Sequence, residues 1–205
     1  MKDKKSLALA YLTQSIKYLD LAEKIFEQMV NKGNPHVVTS IGGKHEPESI
    51  WKDYCEQTKW SDFNIIFPAL FIFYHGIELM IKGLFPLMGS EIPFGHIDHK
   101  SDLLDKLKNE KGIKIEIIEK IDKYLNFEKL KGTPLGDWME INNININDLY
   151  ERLRYPTDKS HLILTDNLPL KYQGEKMIPF AKQIIKDSKR LREVSVSQLN
   201  EIYPH

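Results

Sequence analysis

An arginine and a histidine that flank a proline turn have the chemistry needed to hold and cleave a phosphodiester. In the segment 151–161, ERLRYPTDKSH, six residues separate Arg154 from His161, and Pro156 fixes a turn between them. Arginine holds phosphate oxygens through its planar fork, and histidine exchanges a proton near neutral pH. Together the two side chains have the chemistry to cleave RNA without a metal ion. The alternative is that Arg154 forms a structural ion pair with Glu78 while His161 lies on an exposed loop.

A second group of polar side chains lies within the most apolar stretch of the chain. His75, Glu78 and Lys82 follow one another at spacings of three and four in the segment 63–88, so a helix places them on one face. A buried carboxylate is costly unless it is paired, and Arg154 is the partner that we expect for Glu78. Glu78 would then orient Arg154, and His75 would face the same cleft. A simple intrahelical pair between Glu78 and Lys82 is the alternative.

Two histidines and two carboxylates lie close together in the segment 95–104, GHIDHKSDLL. His96 and His99, with Asp98 and Asp102, are residue types that zinc binds. No HExxH or CxxC frame accompanies them, and His99 is better explained as part of the start of the next helix. We therefore expect neither a metal site nor a cofactor.

The spacing of apolar residues predicts an all-α protein, a bundle of about five to seven helices. No segment alternates between polar and apolar residues for long enough to form a sheet. Pro68 is expected near the first turn of its helix, and TPLGDW at 133–138 is expected to interrupt the helical pattern. The predicted helices cover 6–31, 49–59, 63–88, 101–107, 113–125, 147–154 and 177–191.

Composition favours one soluble domain without a general attraction for nucleic acid. A chain of 205 residues suits a single domain, 1–205, and its 29 basic residues balance 29 acidic ones. Binding of RNA or DNA would therefore rest on a local patch. Cys55 is the only cysteine, so no intramolecular disulfide can form, and a cytoplasmic location is expected. A membrane span over 63–88 is disfavoured because that segment would place a histidine, a glutamate and a lysine near the middle of the bilayer.

Three segments resemble a known superfamily in their order and spacing. They are FIFYHGIELMIKGLF at 71–85, GHIDHKSDLLDKL at 95–107 and LRYPTDK at 153–159. Together they resemble the HEPN superfamily, whose domains combine an apolar helix that ends in such a phrase, a histidine at the start of a following helix, and an RYP turn before the final helix. The likeness covers about 60–193, and we expect the helix 6–31 and the loop 32–47 to pack on that core.

This resemblance implies an all-α bundle that acts on RNA or a nucleotide. In nuclease members an arginine and a histidine lie in a cleft formed by two subunits, which implies a homodimer with Arg154 and His161 as catalytic residues. Such members are metal-independent endoribonucleases of toxin–antitoxin and phage-defence systems. Others bind nucleotides or protein partners without cleavage, as antitoxins or adaptors, and the Tyr155-Pro156 pair after Arg154 is more similar to that branch. The residues that would support or line the cleft are His75, Glu78, Lys82 and Tyr155.

Overall fold

A computed structural model of the chain describes residues 3–35, 47–93, 100–157 and 164–204. Within these ranges the protein is all-α, which confirms the predicted fold class. Two 3-10 turns, Leu168–Leu170 and Gly174–Lys176, precede the last helix. The α-helices are α1 (Lys4–Asn31), α2 (Pro47–Thr58), α3 (Asp62–Leu87), α4 (Lys100–Lys108), α5 (Ile115–Leu125), the single turn α6 (Phe127–Leu130), α7 (Pro134–Ile141), α8 (Leu149–Arg154) and α9 (Met177–Ile202).

Three long helices, α1, α3 and α9, form the body of the bundle, and α1 packs against both of the others. The close contact between α1 and α3 depends on two glycines that lie seven residues apart on one face of α3. A Cβ atom at Gly76 would lie 3.0 Å from Leu19 Cγ, and one at Gly83 would lie 2.8 Å from Leu12 Cγ. Ser15 Oγ also donates a hydrogen bond to the Gly76 carbonyl oxygen at 2.7 Å. The glycines therefore let the two helix backbones approach closely.

The pattern of small and apolar residues explains which face of α1 is buried. These residues recur at spacings of three and four, so they form one stripe along the helix. That stripe faces α3 and α9, while the rest of α1 is exposed or partly exposed. The buried positions of α1 are Ala8, Leu12, Ser15, Leu19, Ala22, Phe26 and Met29.

The apolar helix α3 lies at the centre of the fold, where α1, α4, α8 and α9 all contact it. Among the described residues, one helical stretch, Glu48–Leu87, is long and apolar enough to cross a membrane by length and composition alone. Half of its most apolar window is buried inside the protein. The core helix of a soluble protein meets the same criterion, and the packing of α3 is of that kind.

The structure corrects the prediction for Pro68. This proline is the seventh residue of α3 and lies in the second turn, not the first. It lacks the N–H group that would donate to the carbonyl of Asn64, a loss of about 3 kcal/mol in a helix interior. The helix continues because Ile66, Leu70 and Phe73 around the proline are fully buried, and burial of such side chains contributes about 1.5–3 kcal/mol each.

The prediction for 133–138 was also wrong, since helix α7 begins there. Thr133 is the N-cap, and its Oγ1 atom accepts a hydrogen bond from the Gly136 amide at 3.1 Å. Pro134 occupies the first helical position, where a missing N–H group has no cost. A Cβ atom at Gly136 would lie 2.1 Å from the Leu130 carbonyl oxygen, so the close turn from α6 into α7 requires glycine. The predicted helices include neither α7 nor the single turn α6.

The last helix extends eleven residues beyond its predicted end and reaches Ile202. The added turns are held by Gln198, which is buried. Its Nε2 atom donates to the Gly112 carbonyl oxygen at 2.8 Å, and its Oε1 atom accepts from the Lys114 amide at 3.1 Å. The end of α9 is therefore attached to the connection between α4 and α5.

Hydrogen bonds hold the chain on both sides of segment 158–163. The Thr165 amide donates to the Pro156 carbonyl oxygen at 2.8 Å, and an isolated antiparallel bridge joins Thr157 to Leu164. Further along, Asn142 at the end of α7 exchanges two hydrogen bonds with the backbone of Asp166. The described residues that flank the segment, Thr157 and Leu164, therefore lie side by side.

Candidate functional site

The predicted polar face of α3 contains an intrahelical ion pair. Lys82 Nζ lies 2.7 Å from Glu78 Oε1, and the Glu78 side chain is only 18% exposed. The glutamate precedes the lysine by four residues, which is the favourable order on a helix. This is the simple pair that the spacing offered as the alternative.

Arg154, the last residue of α8, lies against three aromatic rings. Its Cζ atom lies 4.9 Å from the ring centroid of Tyr155, 5.8 Å from that of Tyr150 and 5.9 Å from that of Phe71. Its Nη2 atom donates a hydrogen bond to Tyr155 Oη at 2.9 Å. The helix ends here because Tyr155 precedes Pro156 and adopts an extended backbone. The end of α8 thus places an exposed guanidinium over aromatic faces.

The expected ion pair between Arg154 and Glu78 does not form within the described part of the chain. Lys82 lies one turn from Glu78 on the same helix, so this ion pair does not connect α3 to another helix. The Arg154 guanidinium instead gains cation–π contacts, which suit its planar, weakly hydrated group. The Glu78 side chain is nevertheless mostly shielded from water, and the charges of both Glu78 and Arg154 act on Tyr150.

Tyr150 is the residue that connects these charged groups. Burial raises the pKa of its phenol, the charge of Glu78 raises it further, and the charge of Arg154 opposes both effects. Tyr150 Oη and His75 Nδ1 share a hydrogen bond at 3.0 Å. The Tyr150 ring also stacks on Phe71, with ring centroids 4.8 Å apart. Tyr150 therefore joins the polar face of α3 to the end of α8.

His75 is held by packing as well as by hydrogen bonding. The ring of Tyr18 on α1 meets the His75 ring edge-on, with centroids 4.6 Å apart. Three helices, α1, α3 and α8, therefore fix this histidine. We call the whole group the Arg154 cluster, and it consists of Phe71, His75, Glu78, Lys82, Tyr150, Arg154 and Tyr155.

The Arg154 cluster has the groups needed to bind a nucleotide. Within the described residues no carboxylate forms an ion pair with Arg154, so its guanidinium can hold phosphate oxygens. The adjacent residue Tyr155 is 49% exposed, and its ring is a flat surface on which a base can stack. The sequence identified five members of the cluster, but not Tyr150 and Phe71. The spacing could have indicated both residues, because Tyr150 precedes Arg154 by four residues and Phe71 precedes His75 by four, which places each pair on one helix face.

Some predicted residues cannot be placed relative to this cluster. His161 lies outside the described residues, as do His96, Asp98 and His99, and most of the loop 32–47. Across the ranges that the structure does describe, no group of three or more His, Cys, Asp or Glu side chains is arranged to hold a metal ion.

No family model, no curated protein and no solved structure matches this chain.

Proposed function

We propose that this protein is an HEPN-like bundle that acts on RNA or a nucleotide at the Arg154 cluster, in the cytoplasm and as a homodimer. The observation that supports this most directly is the exposed Arg154 guanidinium, which lies over aromatic rings and has no carboxylate partner among the described residues. An arginine that serves only as a structural bridge would be neutralised by a carboxylate. A phosphate group would supply that missing negative charge.

Cleavage of RNA is the catalytic form of this proposal. The 2′-hydroxyl of a ribose attacks the adjacent phosphorus, a cyclic phosphate forms, and the 5′-oxygen of the next nucleotide leaves with a proton. Arg154 stabilises the negative charge of the five-coordinate phosphorus, and His161 acts as the acid or base. No step needs a metal ion, which fits an endoribonuclease of a toxin–antitoxin or phage-defence system.

A non-catalytic module is the second candidate, and a specific contact favours it. Arg154 donates to the hydroxyl of Tyr155, so the residue after the arginine is an aromatic ring that holds the guanidinium in place. Such an arrangement suits stable binding of a nucleotide or of a protein partner, as in an antitoxin or adaptor.

Labelled single-stranded RNA in the presence of EDTA separates these two candidates. Fluorescence polarisation measures binding, and gel electrophoresis measures cleavage. Replacement of Arg154 by alanine should weaken binding about tenfold or more, because a charge-assisted contact to phosphate is lost. Because Arg154 is exposed, the circular dichroism spectrum of the variant should match that of the original chain.

Arg190→Ala is the matched control, since Arg190 is an exposed arginine on α9 that pairs with Glu116 and Glu193. Cleavage that persists in EDTA and is lost in both Arg154→Ala and His161→Ala would support the nuclease. Binding without cleavage would support the non-catalytic module. Equal RNA affinity of the original chain, Arg154→Ala and Arg190→Ala would contradict RNA binding at the Arg154 cluster, in the nuclease and in the non-catalytic module alike.

The homodimer is tested by sedimentation. A mass of about twice 24.0 kDa is expected for the purified chain. A monomer at all accessible concentrations would contradict this part of the proposal, because a cleft between two subunits could not form.

A further inference from the structure

A pocket with a volume of about 270 Å³ lies where α5, α6, α7 and α9 meet. Its apolar walls include Tyr124, Leu130 and Phe180, all of which are buried. This volume is close to the lower end of the range for small-molecule sites, which is about 300–1,000 Å³. None of its lining residues belongs to the Arg154 cluster.

The charged side chains that line this pocket are lysines. Lys123, Lys129 and Lys176 lie on its wall, and Thr133 and Gln183 add uncharged hydrogen-bonding groups. Among the residues that the structure describes, no carboxylate lines the pocket. An apolar cavity with a few converging polar groups is the usual form of a small-molecule site.

A buried carboxylate behind the wall holds three of the lining side chains in position. Asp187 is fully buried, and its oxygens accept hydrogen bonds from Lys123 Nζ at 2.9 Å, Tyr124 Oη at 2.8 Å and Gln183 Nε2 at 2.8 Å. It also pairs with Lys120 Nζ at 2.6 Å. Because Lys120 and Lys123 share the single negative charge of Asp187, these three side chains together carry one net positive charge.

The other two lysines add to that excess. Lys129 shares the carboxylate of Asp122 with Lys108, at 2.5 Å and 2.8 Å. Lys176 is exposed and forms no ion pair within the part of the chain that the structure describes. Lys108 also pairs with Asp105, so these five lysines and three aspartates leave two positive charges at or near the pocket.

We propose that this pocket binds a small organic anion, in which a phosphate or carboxylate group contacts the lysines and an apolar body occupies the space beside Tyr124 and Phe180. The lysines disfavour a cationic ligand, and the apolar walls give affinity that an inorganic ion could not use. The pocket and the Arg154 cluster use different residues, so this proposal does not depend on the proposed function.

The test is a nitrogen-15 NMR titration of the full chain with phenyl phosphate and, separately, with phenylacetate. Saturable shifts are expected at the amides of Gly132 and Thr133, which line the pocket. Inorganic phosphate and benzyl alcohol each supply only half of the proposed chemistry, so each should bind at least about tenfold more weakly than the better of the two aromatic anions. Which anion binds more tightly identifies the acidic group.

Lys176→Glu should weaken binding of that anion by about tenfold or more, because the charge of an exposed pocket lysine is reversed. Lys189→Glu is the matched control, since Lys189 is exposed on α9 and does not line the pocket. Equal weakening by both variants would show diffuse attraction to a basic surface and overturn the proposal. It would also be overturned by the absence of saturable shifts at Gly132 and Thr133, or by inorganic phosphate binding as tightly as phenyl phosphate.

Discussion

Asp187 is a fully buried carboxylate with four hydrogen-bond donors. Asp187→Asn removes the negative charge that Lys120 and Lys123 share, although those lysines are partly exposed to water. The free energy of unfolding should therefore fall by about 2–3 kcal/mol, less than the loss of a fully buried ion pair. Urea denaturation monitored by circular dichroism measures this change.

The matched control for this residue is Asp105→Asn. Asp105 pairs with Lys108, but its side chain is 70% exposed. Its replacement should change the free energy of unfolding by less than about 1 kcal/mol, because exposed ion pairs contribute little. Similar losses in both variants would contradict the structural role that burial gives to Asp187.

At the scale of elements, the contact between α1 and α3 depends on the absence of a side chain at Gly83. Gly83→Val should lower the free energy of unfolding by about 1–3 kcal/mol, because the new Cβ atom would meet Leu12 at 2.8 Å and the core has little space. The higher helix propensity of valine relative to glycine offsets only a few tenths of a kcal/mol. Thermal or urea unfolding detects the loss.

Ala10→Val is the control for this contact, since Ala10 lies on the exposed face of α1. It introduces the same side chain into a helix, so it should cost less than about 1 kcal/mol through helix propensity alone. A Gly83→Val protein as stable as the Ala10→Val protein would mean that the two helices can move apart without cost.

The sequence predicts features within one helix, but not the contacts between helices. The helix periodicity of α1 and α3, and the shared face of His75, Glu78 and Lys82, follow from spacing within one helix. The choice of Lys82 as the partner of Glu78, and not Arg154, depends on how α8 packs against α3, which spacing does not contain. The anion pocket was missed for the same reason, because its lysines come from separate elements.

For the whole molecule, buried acidic groups predict how stability depends on pH. Burial raises the pKa of the Asp187 carboxyl, but hydrogen bonds from Lys120 and Lys123 lower it more, and the net pKa lies below its usual value. Asp122 behaves in the same way through Lys108 and Lys129. In acid the unfolded chain therefore binds more protons than the folded chain. Stability should be fully present above about pH 4 and should fall as pH decreases further.

Two buried tyrosines predict the opposite slope in alkali. Burial raises the pKa of Tyr74 and of Tyr124 well above the ordinary phenol value, and the charge of Asp187 adds to the shift at Tyr124. Above about pH 10 the folded chain keeps protons that the unfolded chain loses. The free energy of unfolding should therefore fall by about 1.4 kcal/mol per pH unit for each tyrosine.

Tyr74→Phe separates this alkaline effect from general destabilisation. It removes the hydrogen bond that Tyr74 donates to the Tyr124 carbonyl oxygen at 2.9 Å, so stability should fall by about 1 kcal/mol at neutral pH. The slope contributed by the two tyrosines should decrease by about half, while the loss below pH 4 stays as in the original chain. Urea denaturation from pH 3 to pH 11 measures both the acid and the alkaline loss of stability. An unchanged alkaline slope would contradict the assignment, because the variant lacks one of the two buried phenols, Tyr74 and Tyr124, to which the slope is assigned.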